Sequence, residues 1–326
     1  MNITVLRSGF LSSVQDLGRI GYRASGVSLG GALDPQALAV ANLLAGNEEA
    51  AAGIEATLGR LRIGFAEDRL VAWAGGAFRV DVGDEEIPAG HPARVCAGEE
   101  LEMTAPENGA RAWLAISGGI DAPLVLGSRS TDLRSGFGGL EGRALRDGDR
   151  LPLGPPSTAA VRMAAKIGHG RVAPWCAPWV WASTTPAHPF LRIVRGADWS
   201  RFEKATLEAH QIFTVSPQAD RMGARLEGEP LVRTTAEEMI SSAVAPGTLQ
   251  VPPDGQPILL LGDCQTIGGY PKIAHVITAD LPAAAQLRPG DQVRFAEVTL
   301  VEAQRLAIER AHDLQRFRIG LELHLT

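Results

Sequence analysis

The stretch "VAWAGGAFRVDVGDEEIPAGHPARVCAGEELEM", residues Val71–Met103, decides the fold class. Short apolar runs alternate in it with Gly, Pro and acidic residues, which is the pattern of short strands joined by turns. The whole chain is rich in the same turn residues, with 37 Gly and 21 Pro. This pattern favours barrels or sandwiches over βαβ units, and the chain is predicted to be mainly β (α+β) with a few surface helices. Strands are predicted at Ile3–Leu6, Leu70–Trp73, Phe78–Val82, Ala93–Val95, Glu100–Met103, Arg111–Ile116, Leu191–Arg195, Ile212–Val215, Ile258–Leu261 and Gln292–Phe295.

Helices are few, and the clearest is "DPQALAVANLLAGN". Asp34 suits the N-cap, Pro35 suits the first helical position, and Gly46 suits the stop. Further helical segments are predicted around Trp199–Ala209 with Asp198 as its cap, at Val301–Arg316, and as a short turn at Leu281–Leu287.

Length and composition bound the organisation of the chain. It has 326 residues, of which 45% are hydrophobic, and single cores stop growing at about 250–300 residues. Two domains are therefore predicted, residues 1–188 and 189–326, with the boundary in a Pro-, Ala- and Thr-rich stretch.

Charge and cysteine content exclude several classes of protein. The net charge of −6 is mixed along the chain, so a nucleic-acid or membrane-surface role is not expected. No apolar run approaches the roughly 18 residues of a membrane span, and "MNITVLRSGF" lacks the pattern of a secretory signal. The three dispersed cysteines favour a reducing, cytoplasmic location and no disulfide framework or zinc site.

Polar residues crowd a glycine-rich segment, "SVQDLGRIGYRASGVSLGGALD", residues Ser13–Asp34. Gln15, Asp16, Arg19 and Arg23 lie between its glycines, and two arginines can clamp an anion with forked hydrogen bonds. These four residues are candidate substrate- or anion-binding residues. The alternative is a surface loop with a local Asp16–Arg19 ion pair.

Two further segments carry arginines. "LGSRSTDLRSGFGGLEGRALRDGDRL", residues Leu126–Leu151, is either an anion-binding loop or a solvated one. In "SPQADRMGARLEG", residues Ser216–Gly228, Arg221 is a candidate anion-binding residue, and an ordinary structural salt bridge is the alternative.

The segment "ILLLGDCQTIGGYPKIAHV", residues Ile258–Val276, interrupts an apolar run with polar side chains. Lys272 follows a glycine pair and is flanked by apolar residues, so partial desolvation would favour anion pairing or a lowered pKa. Asp263 and Gln265 offer an acceptor and a donor for an amide or ureido group. Lys272, Asp263 and Gln265 are the predicted catalytic residues.

Other residues of that segment are assigned supporting or inert roles. Gly268 and Gly269 are predicted to form a hinge that turns the backbone. Both glycines and Tyr270 are also candidate substrate- or anion-binding residues. Cys264 is expected to be a buried, inert thiol. The glycines do not form a nucleotide-binding G-x-x-x-x-G-K-[ST] loop.

Several of these segments, taken in order with "ANLLAGNEEAAAGIE", "PGTLQVPPDGQP" and "LRPGDQVRF", resemble the allophanate hydrolase subunit 2 family. That family is also known as biotin-dependent carboxyltransferase-related and as the 5-oxoprolinase C subunit family, and the resemblance covers about Ile3 to Phe295. The family's loop is expected to read "CQTTGGYPK", so Ile267 removes a hydroxyl beside the glycines.

The resemblance implies two cyclophilin-like β-barrel domains and a separate partner chain, the subunit 1-like protein, which is the B component of 5-oxoprolinase. One implied function is that of a component of an ATP-dependent 5-oxoprolinase that hydrolyses 5-oxo-L-proline to L-glutamate, with an A component as the third chain. The ATP site would be shared with the partner or lie on it.

Two alternatives remain open at this point. The first is a urea-type carboxyltransferase that uses carboxybiotin carried by another chain. The second is a non-catalytic regulatory partner of the subunit 1-like protein.

Overall fold

The structure is a computed structural model that describes residues 2–178, 181, 189–203, 207, 211–234 and 239–325. Its contacts divide the chain into two units. The first unit comprises Met1–Arg19, Gly30–Thr185 and Leu314–Thr326, and the second comprises Ile20–Leu29 and Pro186–Asp313. The domain boundary predicted at residue 188 lies outside the described residues and stays a prediction.

The described strands of the first unit are β1 Asn2–Ser8, β2 Leu11–Gln15, β3 Gly53–Thr57, β4 Arg60–Phe65, β5 Arg69–Gly75, β6 Arg79–Val82, β7 Glu85–Glu86, β8 Ala93–Val95, β9 Glu100–Thr104, β10 Arg111–Ile116 and β11 Arg150–Pro152. The second unit contains β12 Phe190–Arg195, β13 Phe213–Val215, β14 Gly223–Glu227, β15 Ser242–Ala243, β16 Thr248–Gln250, β17 Ile258–Leu260, β18 Ile267–Gly268, β19 Lys272–Val276 and β20 Gln292–Glu297. The described α-helices are α1 Pro35–Leu44, α2 Thr158–Ile167, α3 Leu281–Ala284 and α4 Leu300–Leu325. Short 3-10 turns cover Arg23–Ser25, Trp199–Arg201 and Thr278–Asp280.

The first unit arranges its strands in two antiparallel sheets. One has the order β11-β1-β4-β9-β6-β7 and the other the order β2-β3-β10-β5-β8. Every residue of β5 and β10 is buried, because α1 packs against both strands on one face of their sheet. Burial on both faces explains why these strands appear in the sequence as continuous apolar runs and not as alternating ones.

Helix α1 follows the predicted capping pattern. The Asp34 side chain accepts a hydrogen bond from the Ala37 amide at 2.9 Å, and Pro35 occupies the first turn. Gly46 has φ +73. This left-handed conformation commonly ends a helix, and glycine adopts it without strain. The prediction of this helix and of its caps is confirmed.

The second unit is a closed barrel with the strand order β12-β19-β16-β17-β14-β13-β20. Strands β12 and β20 close it in parallel, with Leu191 paired to Phe295. Its interior is apolar, and the Phe213 and Phe295 rings lie 5.9 Å apart. Strands β15 and β18 form a separate two-stranded sheet in the same unit.

The mainly β fold class is confirmed, and each of the predicted strand segments overlaps a strand. Two barrel domains were predicted. The second unit contains a closed barrel, whereas the described strands of the first unit form two sheets. The helices predicted at Val301–Arg316 and within Leu281–Leu287 are present as α4 and α3. None of the helices within the described ranges has the length and apolar character needed to span a membrane.

One helix prediction is wrong at its start, and one helix was not predicted. Trp199–Arg201 is only a 3-10 turn, because Phe202 is extended and pairs with Arg233. The remainder of that predicted helix lies mostly outside the described residues. The unpredicted helix α2 is capped by Ser157, whose side chain accepts from the Ala160 amide at 3.0 Å.

Candidate functional site

A buried ion pair fixes the loop that follows β17. Arg221 Nε donates to Asp263 Oδ2 at 2.8 Å and Arg221 Nη2 donates to Oδ1 at 3.0 Å. The two side chains are only 4% and 5% exposed, and this bidentate geometry neutralises both charges. The geometry favours the structural interpretation of Arg221. The catalytic role assigned to Asp263 and the anion-binding role assigned to Arg221 stay predictions.

Arg23 and Cys264 meet in the same unit. Arg23 Nη2 donates to the Val244 carbonyl oxygen, and the guanidinium also lies beside the Cys264 thiol. Burial raises the pKa of Cys264, and the nearby Arg23 charge only partly opposes that rise. Cys264 is fully buried and is therefore a protonated thiol at neutral pH, which does not suit a nucleophile.

Lys272 begins β19 and is held close to the polypeptide backbone. Its amide donates to Asp198 Oδ2 at 2.9 Å. Its ammonium nitrogen lies 3.4 Å from both the Gly268 and the Tyr270 carbonyl oxygens. The residue is only 6% exposed. These contacts are longer than ordinary N–H···O hydrogen bonds, so the ammonium keeps donor capacity for a ligand.

Two glutamine amides lie beside Lys272. Gln250 of β16 is the cross-strand partner of Lys272, and Gln265 Nε2 donates to Gln250 Oε1 at 3.2 Å. Gln250 is 1% exposed, and its Nε2 has no hydrogen-bond partner among the described residues. Gln265 was predicted from the sequence, whereas Gln250 was not. The available signal was an amide placed between the apolar residues Leu249 and Val251.

The glycine pair predicted as a hinge lies at the end of β18 and packs beside Gln250. Gly268 belongs to β18 and pairs with Ser242, and neither Gly268 nor Gly269 has a positive φ. A Cβ on Gly268 would lie 2.4 Å from Gln250 Nε2, so the Gln250 amide would have to shift to admit a side chain there. Tyr270, predicted to line the site, is exposed at the end of this turn.

His275 lies three residues along β19 from Lys272. Burial, and then the charge of Lys272, lower the pKa of His275 below its ordinary value. Its Nδ1 is 3.2 Å from Thr248 Oγ1. His275 is therefore neutral at neutral pH and able to accept or donate one proton next to a cation.

The first unit holds the other predicted residues in a buried polar cluster. Asp16 accepts hydrogen bonds from Ser128 Oγ at 2.6 Å and from Ser130 Oγ at 2.5 Å. Arg19 is fully buried, donates to the Ser130 carbonyl oxygen at 2.5 Å, and stacks 4.5 Å above the Phe137 ring. Asp16 is thus held by the 128–130 loop, whereas the surface-loop alternative had paired it with Arg19.

Gln15 completes this cluster from the end of β2. Its Nε2 donates to Ser13 Oγ at 2.9 Å and to the Thr131 carbonyl oxygen at 3.2 Å. Its Oε1 has no partner within the described part of the chain. The structure therefore brings together three of the predicted residues in the first unit, namely Gln15, Asp16 and Arg19. The second unit contains Arg23, Arg221, Asp263, Gln265, Gly268, Gly269, Tyr270 and Lys272.

Comparison with known proteins assigns the family. The sequence profile described as "Carboxyltransferase domain, subdomain A and B" matches residues 25–297. The chain belongs to this carboxyltransferase-domain family. The resemblance inferred from the sequence motifs is confirmed.

This carboxyltransferase-domain protein is similar to curated relatives over its whole length. It is 39% identical over 326 residues to the C subunit of 5-oxoprolinase from Escherichia coli (strain K12), with 99% of each chain covered. It is 37% identical over 309 residues to the C subunit of 5-oxoprolinase from Haemophilus influenzae, with 94% of each covered. Among solved structures, urea amidolyase of K. lactis matches with a TM-score of 0.87 at 26% identity. That match covers 97% of this chain and 20% of the other.

Proposed function

We propose that this carboxyltransferase-domain protein is the C subunit of a heteromeric, ATP-dependent 5-oxoprolinase that hydrolyses 5-oxo-L-proline to L-glutamate. The observation that carries the proposal is the end-to-end similarity to two proteins that are named as 5-oxoprolinase C subunits. The match to the urea amidolyase structure covers only 20% of that longer chain. The proposed partners are the subunit 1-like B component and the A component.

Lys272, Gln250, Gln265 and His275 form a group that we call the Lys272 cluster. Its chemistry suits a lactam substrate. Hydrolysis of an amide builds negative charge on the carbonyl oxygen, and a positioned cation in a dry site stabilises that charge. Lys272 is the cation, and Gln265 offers an amide that can donate and accept. Neutral His275 can move a proton to or from a reacting group.

The same cluster does not suit a nucleoside triphosphate. Arg221 is engaged with Asp263, and Arg23 is engaged with the Val244 carbonyl oxygen. Lys272 lies beside the glutamines as a single ammonium, whereas phosphates are bound by several cations or by backbone amides at a helix N-terminus. We propose that ATP binds on a partner chain or at a site shared with it.

A second candidate function is carboxyl transfer to urea or a related amide. The family description and the TM-score of 0.87 with urea amidolyase favour it. In that case the carboxylated biotin would be carried by another chain. This chain would supply the binding site for the amide acceptor and for the carboxyl group.

The test combines the purified chain with its A and B homologues and follows release of L-glutamate and ADP from 5-oxo-L-proline. Lys272→Ala is expected to abolish turnover while the complex still forms. Lys166→Ala is the matched control, because the Lys166 ammonium donates to the His324 carbonyl oxygen at the surface.

A complete, folded complex that gives no glutamate removes the hydrolase function. Carboxylation of urea by the same chain, when supplied with a carboxybiotin carrier, would establish the second candidate function. Near-normal turnover by Lys272→Ala would assign a structural role to Lys272.

A further inference from the structure

The Gln250 amide is a buried donor without an acceptor. The side chain is 1% exposed, its Oε1 already accepts from Gln265 Nε2, and its Nε2 has no partner in the described ranges. A buried N–H group left unpaired costs free energy that folding normally avoids. Such a group beside a candidate site offers a donor to an acceptor oxygen of a ligand.

Gly268 packs closely against that donor. Any Cβ at this position would lie 2.4 Å from Gln250 Nε2 and 3.3 Å from its Cδ. The absence of a side chain therefore lets the Gly268 backbone approach the amide closely. Because Gly268 does not have a positive φ, backbone conformation does not explain the glycine, whereas the close approach does.

The same glycine also contacts a cation. The Lys272 ammonium nitrogen is 3.4 Å from the Gly268 carbonyl oxygen, and Lys272 is the cross-strand partner of Gln250. A neutral N–H donor and an ammonium therefore flank a single glycine. A carboxylate has two oxygens that together can accept from both donors.

We propose that Gln250 Nε2 and Lys272 Nζ bind the carboxylate of the substrate beside Gly268. The identity of that carboxylate as the one on 5-oxo-L-proline rests on the proposed function. This site selects lactams that bear a carboxylate, and it offers nothing comparable to urea or to a lactam without the acid.

The test measures binding of two lactams to the complete complex by calorimetry. The first is 5-oxo-L-proline, and the second is 2-pyrrolidinone, the same ring without the carboxylate. The variant is Gln250→Glu, which keeps the acceptor for Gln265 and the side-chain length but replaces the donor with a negative oxygen. Gln256→Glu is the matched control, because the Gln256 amide bonds to the Gly228 backbone at the surface.

The expected result is selective. Gln250→Glu weakens binding of 5-oxo-L-proline by about ten-fold or more, and binding of 2-pyrrolidinone changes by less than about two-fold. Gln256→Glu leaves both affinities unchanged. If Gln250→Glu fails to fold or to join the complex, Gln250→Met is measured in its place and is expected to lose the same preference.

An equal loss for both ligands, or no loss for either, would overturn the carboxylate site. A wild-type complex that does not prefer 5-oxo-L-proline over 2-pyrrolidinone would overturn it too, whether or not turnover occurs. Wild-type binding of 5-oxo-L-proline with that preference but without turnover removes the hydrolase function and supports the carboxylate site. The two failures are thereby distinguished.

Discussion

Replacement of Arg221 by Met should destabilise the second unit more than any exchange at a surface arginine. The Arg221–Asp263 pair has two hydrogen bonds, at 2.8 and 3.0 Å, and its members are 4% and 5% exposed. Met keeps the length of the side chain but leaves the Asp263 carboxylate without its guanidinium. Removing one member of such a buried pair costs about 3–5 kcal/mol of unfolding free energy.

An exposed pair in the same unit provides the comparison. Arg195 and Glu297 approach to 2.8 Å, but their side chains are 58% and 44% exposed. Water and salt screen such a pair, which contributes only about 0.2–1 kcal/mol. The loss of unfolding free energy in Arg195→Met should therefore be several-fold smaller than the loss in Arg221→Met. The double variant Arg221→Met/Asp263→Leu should recover part of the loss, because it leaves no unpaired buried charge.

Native-state hydrogen exchange of peptides from β17 and β19 measures the opening free energy of this unit directly. It does so without assuming that the two units unfold together. If Arg221→Met loses no more opening free energy than Arg195→Met, burial does not set the strength of these ion pairs. A double variant less stable than Arg221→Met would refute the argument from the unpaired charge.

Three further measurements concern titrating groups. Hydrogen bonds from Arg171 lower the pKa of Glu99 from 4.5 to about 2. The stabilisation is therefore complete above pH 4.5 and is lost as the pH falls towards about 2. The difference in melting temperature between the wild type and Glu99→Gln should shrink across that window. Burial and Lys272 lower the pKa of His275 below 6.5, so its NMR titration midpoint should lie below 6.5 and move upward in Lys272→Met. As the pH falls, the unfolded chain binds a proton at His275 before the folded chain does. The contribution of neutral His275 to the free energy of unfolding therefore decreases as the pH drops through 6.5. Burial raises the pKa of Cys264, so a thiol reagent should modify the other two cysteines first and reach Cys264 only when urea opens the second unit.

Local patterns predicted the elements that depend on local interactions. Helix α1 was found from Asp34, Pro35 and Gly46 because its caps involve neighbours in the sequence. Strand β2, "LSSVQ", was not predicted, because its residues run into a segment interpreted as a loop. Ser12, Ser13 and Gln15 are polar, yet all three are buried. Their burial depends on remote partners, such as the Thr131 carbonyl oxygen that accepts from Gln15, and no local pattern indicates such a partner.

The candidate site was predicted in part for the same reason. Lys272 stood out because a cation occurs between apolar residues, and the structure buries it. Gln250 did not stand out, because its importance comes from the register that pairs it with Lys272. Gly268 was noticed, but its close approach to Gln250 is visible only when β16 and β18 are in place.

The parallel pairing of β12 with β20 also governs when the barrel can form during synthesis. Leu191 cannot meet Phe295 until the ribosome has made the whole intervening segment, and contacts between such distant residues form slowly. Until that moment both outer strands of the nascent barrel have unpaired backbone edges that invite aggregation. The barrel can therefore close, and its unpaired strand edges can be covered, only after β20 has been translated.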